Sequence, residues 1–274
     1  MKLPDRINLN DYTTFGRKAI RAFYSGGYVG AIISGAFGKG KSTSAIHLGR
    51  EILEGIYGLS RIEAYRLLID KYTLFTMDEV LEQTKSLKNK EFWENLTPQQ
   101  AIYWKAKIRK PLLIWDDAAK HGSKYKHFLD MGDAYELQSN FDTIRDITSC
   151  VIITAPEDEE LLKFLRSYRG NYLVEVLNSG GGEWNRVLEF YAYETDPLGR
   201  RRKRKKWRTK PFSIYVEKEI YGKYIKKKMV AEIENAQRYD QKKKVKEAKA
   251  KYYETRQKYY QAKMENELRE LGEN

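Results

Sequence analysis

Apolar positions along this chain follow two rhythms. Unbroken apolar runs at residues 28–33, 111–115 and 148–154, rich in β-branched side chains, read as strands buried on both faces of a parallel sheet. The segment "YTLFTMDEVLEQTKSL" predicts a further strand followed by a helix, and "NYLVEVLN" predicts another strand. Ala45, Ile46, Leu48 and Ile52 sit at helical spacing just after the first run. Five strands separated by helices predict an α/β fold: a parallel sheet with right-handed crossovers and a ligand site at the strands' carboxyl ends.

The second rhythm has period two. Val187, Glu189, Tyr191 and Tyr193 alternate with Leu188, Phe190, Ala192 and Glu194, and Phe212, Ile214 and Val216 repeat the pattern after the turn signal "DPLG". Residues 186–197 and 207–217 are thus expected to pair as an antiparallel β-ribbon. From Glu217 the chain reads as helix. Val245, Tyr252 and Tyr259 are seven apart, but Thr255 and Asn266 interrupt any seam, so a solvated helix is expected. The domain reading is a core over 1–185, a ribbon over 186–217 and a basic, Tyr-rich helical tail over 218–274.

Charge sharpens the division. Residues 198–274 hold 25 Lys and Arg against 11 Asp and Glu, whereas residues 1–197 hold 26 against 27. Nine cations fall between Arg200 and Lys210: Arg200, Arg201, Arg202, Lys203, Arg204, Lys205, Lys206, Arg208 and Lys210. On the ribbon reading they lie at or near its tip, where they would grip a phosphate backbone with strong salt dependence and little sequence preference. Trp207, inside the run, either stacks on an exposed base or packs on the hairpin. The bland alternative is a solvated charge run. A single cysteine, Cys150, excludes an internal disulfide framework and fits a reducing compartment. The segment "MKLPDRINLNDYTTF" lacks the apolar stretch of a secretion signal, and no run approaches the ~18 apolar residues of a membrane span, so a cytoplasmic protein is expected.

The chemistry begins at Gly35-Ala36-Phe37-Gly38-Lys39-Gly40-Lys41-Ser42-Thr43, a G-x-x-x-x-G-K-S pattern between a strand and a helix. Such a loop wraps phosphates with successive backbone N–H groups, and the new helix offers them its positive end. Lys41 would reach the β and γ phosphates, and Ser42 would hold Mg2+. Asp116 and Asp117 end the run 111–115, where Asp116 would orient the magnesium shell and Asp117 would polarise the attacking water. Thr154, at the end of the run 148–154, is a candidate sensor of the γ phosphate or a group satisfying local backbone.

Together, residues 35–42, Leu112 to Asp117 and the Thr154 strand resemble the additional-strand P-loop ATPases. The likeness is to AAA+ proteins of the DnaA, DnaC and IstB kind and to their relatives encoded by archaeal viruses and plasmids, over roughly residues 15–178. The resemblance implies a P-loop NTPase three-layer α/β/α sandwich with sheet order 5-1-4-3-2. It also implies ATP with Mg2+, and homo-oligomeric assembly as a ring, a hexamer among the options, or as a filament. Arg166 and Arg169 lie where such a family places an arginine that acts on a neighbour's site. A small helical lid should follow the fifth strand in an AAA+ protein, yet strand-like alternation follows here, which is nearer to a RecA-like or HerA-like core. The function expected is a DNA-binding ATPase of replication initiation or helicase loading. A translocation or packaging motor, and a nucleotide-switched scaffold or partition protein, are the alternatives.

Overall fold

The computed structural model describes residues 3–4, 7–84, 90–118, 138–139, 143–157, 161, 165, 170–182, 184–195 and 201–272. Two compact units divide at Lys226 and Lys227.

Strand β1 (Val29–Ser34) is buried at every position. It is flanked in parallel by β4 (Cys150–Ala155) and β5 (Asn171–Asn178), with β3 (Leu113–Trp115) beyond β4 and β2 (Thr73–Leu74) beyond β3. The order β5-β1-β4-β3-β2 is the one the sequence led us to expect. Only a sheet covered on both faces tolerates such continuous apolar strands, and both faces are covered. Helices α1 (Thr14–Ser25) and α2 (Lys41–Tyr57) lie on one face. They approach closely at Gly55, where a Cβ would stand 2.3 Å from Ile20 Cδ1. On the opposite face Ile32, Trp115, Ile153 and Leu173 share a core with Leu161, Leu165, Ile144 and Val80, the last from α4 (Met77–Thr84). Between α2 and α4 run α3 (Arg61–Leu67) and a π-helical turn, Leu68–Tyr72. Helices α5 (Lys90–Glu94) and α6 (Pro98–Ile108) precede β3.

Past β5 the sheet turns antiparallel. Strand β6 (Asn185–Thr195) pairs with β5, β7 (Arg201–Arg208) pairs with β6, and the short β8 (Phe212–Ser213) pairs with the start of β6. One expectation, strand-like continuation past the fifth strand, holds, and one is corrected. Strand β5 leads into more sheet and not into an AAA+ lid, because Val187, Leu188 and Phe190 of β6 are buried and extend the apolar surface of the core. The cationic run, however, does not sit at a ribbon tip: it is itself strand β7.

Two interactions hold seven cations in one strand although Lys is a poor strand former. Trp207 lies opposite Phe190 and stacks on it at 4.9 Å and 17°, with Tyr172 edge-on at 4.6 Å. Carboxylates on β5 and β6 meet the cations across the ladder. Lys203 reaches Glu175 at 2.6 Å, Lys205 and Arg208 reach Glu189 at 2.6 and 3.6 Å, and Arg204 reaches Glu194 at 3.3 Å, with Lys206 paired to the same Glu194.

Helix α7 (Lys218–Gly272) comes after β8. Its opening residues belong to the first unit, where Ile220 and Tyr224 are buried, so the expected boundary at 218 falls inside the compact core. The second unit, Lys227–Asn274, comprises the rest of α7. The Tyr252 side chain is exposed there, while those of Val245 and Tyr259 lie outside the described ones. Among the described residues no helix is long and apolar enough to cross a membrane.

Candidate nucleotide-binding site

The loop between β1 and α2 takes its shape from its glycines. Gly35, Gly38 and Gly40 have φ of 146°, 77° and 87°, in the region that side chains disfavour. At Gly40 the space is closed as well, since a Cβ would meet Ile214 Cδ1 at 2.4 Å. Helix α2 begins at Lys41 with no side-chain cap, so its first N–H groups are not claimed by a capping residue and face the loop, as an anion cradle requires.

Lys41 is 7% exposed, and its Nζ donates to Gly35 O at 2.7 Å and to Ala36 O at 3.0 Å, 5.2 Å from the Phe37 ring centroid. The cation is thus stored on the loop that would hold the phosphates. Phe37 itself is exposed at the crest of the loop. Lys39 offers its carbonyl to Arg186 Nε at 3.0 Å, and Thr43 Oγ1 donates to Gly40 O at 3.0 Å.

The acidic strand end faces this loop. Asp116 continues the ladder, its N–H donating to Leu74 O at 2.9 Å, and it is 1% exposed. A buried carboxylate needs donors: Thr154 Oγ1 donates to Asp116 Oδ1 at 2.7 Å and the Tyr224 hydroxyl donates to Oδ2 at 2.5 Å. Burial, followed by the charge of Asp116, drives the Tyr224 phenol well above its ordinary range and keeps it protonated. Asp117 adopts φ 52°, the one left-handed non-glycine among the described residues, and its N–H donates to Thr154 Oγ1 at 2.9 Å. The turn is locked further by the Ala118 N–H on Thr154 O at 2.9 Å.

The fold therefore brings Lys41, Ser42, Asp116, Asp117 and Thr154 to one end of the sheet. Arg166, Arg169 and Arg200 lie outside the described residues. Trp207 is sandwiched by Phe190, Tyr172 and Lys18, the last at 5.4 Å, and is not a free platform for a base. Hard oxygen donors from Ser42 and Asp116 suit Mg2+. Among the described residues there is no cluster of three or more metal-ligating side chains, so most of a metal's shell here would come from phosphate and water.

Sequence reasoning missed three neighbours of the site. Arg186 and Ile214 brace the loop from the antiparallel strands and the segment just after them, and Tyr224 reaches Asp116 from α7. None carries a motif, and Tyr224 is one of 21 tyrosines.

Behind the loop, on α2, His47 is buried as a neutral ring between the Tyr65 hydroxyl at 3.0 Å and Tyr215 O at 3.2 Å. Burial, then Arg50, lowers its pKa to about 4. Because the folded value lies below the unfolded one, its contribution is complete above about pH 6.5 and is lost as pH falls toward 4. Glu51, raised to about 6 by burial, acts in the opposite sense and costs stability as pH rises from about 4.5 to 6. The wild-type profile is hence partly flattened. Comparison with His47→Gln isolates the histidine: the wild type should lose about 3 kcal/mol relative to the variant between pH 7 and 4 in denaturant melts. Parallel profiles would mean that His47 titrates normally.

No family model matches the chain. The uncharacterized protein B-251 of Sulfolobus spindle-shape virus 1 is 24% identical over 228 residues, which is 81% of this chain and 82% of that one. Similar solved structures include the N-terminal domain of zonular occludens toxin from Neisseria meningitidis, at 15% identity and a TM-score of 0.34 over 71% of this chain and 97% of that one. The flagellar accessory protein FlaH from Methanocaldococcus jannaschii is also similar, at 15% identity and a TM-score of 0.27 over 65% and 89%. The chain has a P-loop NTPase fold: a glycine-rich loop between β1 and α2, opposed by acidic and hydroxyl side chains at the ends of β3 and β4.

Proposed function

We propose that this chain is a Mg2+-dependent ATPase that binds DNA through the surface around β7. The observation that supports ATP chemistry best is the pairing of Lys41 and Ser42, at the start of α2, with Asp116 held by Thr154 at the ends of β3 and β4. Lys41 would leave the Gly35 and Ala36 carbonyls for the β and γ phosphates, and the backbone N–H groups at the start of α2 would hold the remaining phosphate oxygens. Ser42 and Asp116 would carry the metal, and Asp117 would orient the attacking water from its left-handed turn. Magnesium, when bound, neutralises charge on the transferring phosphoryl group. Arg166 or Arg169 acting on a neighbouring subunit would complete the site in an oligomer.

The reading of β7 as a DNA surface rests on charge balance. Seven cations lie on β7, and its exposed ion pairs, Lys203–Glu175 and Arg204–Glu194, are worth under about 1 kcal/mol each, so a phosphate backbone can compete for them. A sheet extended by antiparallel strands, in place of a helical lid, favours a translocating or packaging motor over a helicase loader.

Measuring ATP hydrolysis with and without single- and double-stranded DNA tests the whole reading. Its DNA half is tested by replacing Arg202, Arg204 and Lys206 with Ser. This choice spares Lys205 and Arg208, whose removal would strand the buried Glu189. Duplex affinity should fall similarly for all sequences, and the slope of log K against log salt should become shallower by about 2 to 3. Basal hydrolysis should persist. Native affinity with an unchanged slope would move any DNA contact away from β7.

A further inference from the structure

Tyr224 enters the site from outside every motif. Its side chain is 2% exposed, with the ring centroid 5.5 Å from that of Phe75 and 5.7 Å from that of Tyr221. The turns of α7 that carry it are fixed to α3 and the π-helical turn. Glu219 pairs with Arg66 at 3.2 Å, Lys223 pairs with Asp70 at 2.8 Å, and Glu217, just before the helix, lies 3.7 Å from Arg61. Ile220, buried between these pairs, adds an apolar anchor. The phenol is therefore held at the acidic strand end by structure of its own and does not drift there by chance.

Distance decides its role there. Its hydroxyl donates to Asp116 Oδ2 at 2.5 Å. Mg2+ sits 2.0–2.1 Å from its oxygen ligands and keeps a full shell of six. A phenol oxygen 2.5 Å from Asp116 Oδ2 stands where a metal bound to that oxygen would need its own shell. It also takes the carboxylate oxygen that the shell would address.

We propose that Tyr224 is a metal-competing residue of the nucleotide site: its phenol holds Asp116 Oδ2 and must leave it when a divalent metal enters with nucleotide. The inference rests on the reading of this site as one for Mg2+–nucleotide. It has two consequences. Tyr224 keeps Asp116 Oδ2 hydrogen-bonded while no metal is present, which helps offset the cost of burying that charge. It also makes the site discriminate between nucleotide with metal and nucleotide without, because only the metal has to displace the phenol. The displaced residue belongs to the start of α7, so arrival of the metal is felt there, at the Glu219–Arg66 and Lys223–Asp70 pairs.

The test is equilibrium binding of a fluorescent ATP analogue to the full chain, in excess Mg2+ and in EDTA, for the wild type and Tyr224→Phe. Phenylalanine keeps the ring packing and removes only the hydroxyl, and a thermal melt checks that the variant is folded. With Mg2+ the variant should bind about tenfold more tightly, the worth of one hydrogen bond to a charged group. In EDTA the two proteins should agree within about twofold. Tyr224→Leu, which also lacks the hydroxyl and keeps the burial apolar, should shift Mg2+-dependent affinity in the same direction. An unchanged ratio of affinities with and without Mg2+ overturns the proposal. So does a loss of Mg2+-dependent affinity, which would make the phenol a support for the metal and not its competitor. If the wild type binds no nucleotide under either condition, the nucleotide reading fails and this inference falls with it.

Discussion

Lys41→Ala should lower affinity for Mg2+–ATP by about a hundredfold or more and abolish turnover, while leaving the fold intact. The loss of affinity comes from position. Lys41 is the cation stored inside the loop, 7% exposed, and in a site shielded from water a charge-assisted contact to phosphate is worth far more than a surface ion pair. The survival of the fold comes from the bonds the side chain makes without nucleotide. Its Nζ donates to carbonyls of the loop, Gly35 and Ala36, and Ala36 is exposed, so water can take over at least part of that bonding. Lys41→Arg should not restore affinity, because a planar guanidinium does not fit a cradle shaped around one ammonium. Titration calorimetry with a slowly hydrolysed analogue, alongside a thermal melt, separates binding from folding. Native affinity in a folded Lys41→Ala protein would remove the phosphate role from this loop.

How much of this was legible in the sequence depends on which physical rule fixes each part. Gly38 and Gly40 are demanded by backbone dihedrals, and Gly40 also by the Ile214 side chain above it, so a local pattern sufficed to find the loop. The parallel strands are apolar on both faces, and the continuous runs at β1 and β4 betray that directly. The order of those strands could be expected from the resemblance.

Strand β7 shows the opposite case. By composition it reads as a solvated tip, and what makes it a strand lies elsewhere in the chain: Phe190 and Tyr172 against Trp207, and the glutamates at positions 175, 189 and 194. Each of the three is unremarkable in its own segment. Phe190 and Trp207 sit on one face as partners in a register that shifts at a bulge after Phe190, which no local alternation rule can count through. Tyr224 was invisible for a related reason. Helical spacing marked its segment as helix, but nothing local distinguishes a tyrosine that faces solvent from one that reaches 108 positions back to Asp116.

Thr154→Val should destabilise the protein by about 3 kcal/mol and should also weaken Mg2+-dependent nucleotide binding. The hydroxyl it removes is a buried two-way bridge: it gives its proton to Asp116 Oδ1 at 2.7 Å and accepts the Asp117 N–H at 2.9 Å. Valine has nearly the same shape, so no cavity forms. The substitution takes the acceptor from the part-buried Asp117 N–H and one donor from the buried Asp116 carboxylate, and each omission costs about 1 to 3 kcal/mol. The Ala118 N–H still bonds to the Thr154 carbonyl, so the turn should loosen at Asp117 without coming apart. That loosening matters because Asp117 stands at φ 52°, a conformation a non-glycine residue holds only when its surroundings insist. Thr154→Ser keeps both hydrogen bonds and loses one methyl group, so it should recover most of the stability and of the Mg2+-dependent affinity. Denaturant melts and nucleotide titrations on the two variants give the answer. If Val and Ser behave alike, the methyl group and not the hydroxyl is what the site uses at this position. If Val matches the wild type in both assays, Asp116 and Asp117 are held by other contacts, and the strand end is preorganised without Thr154.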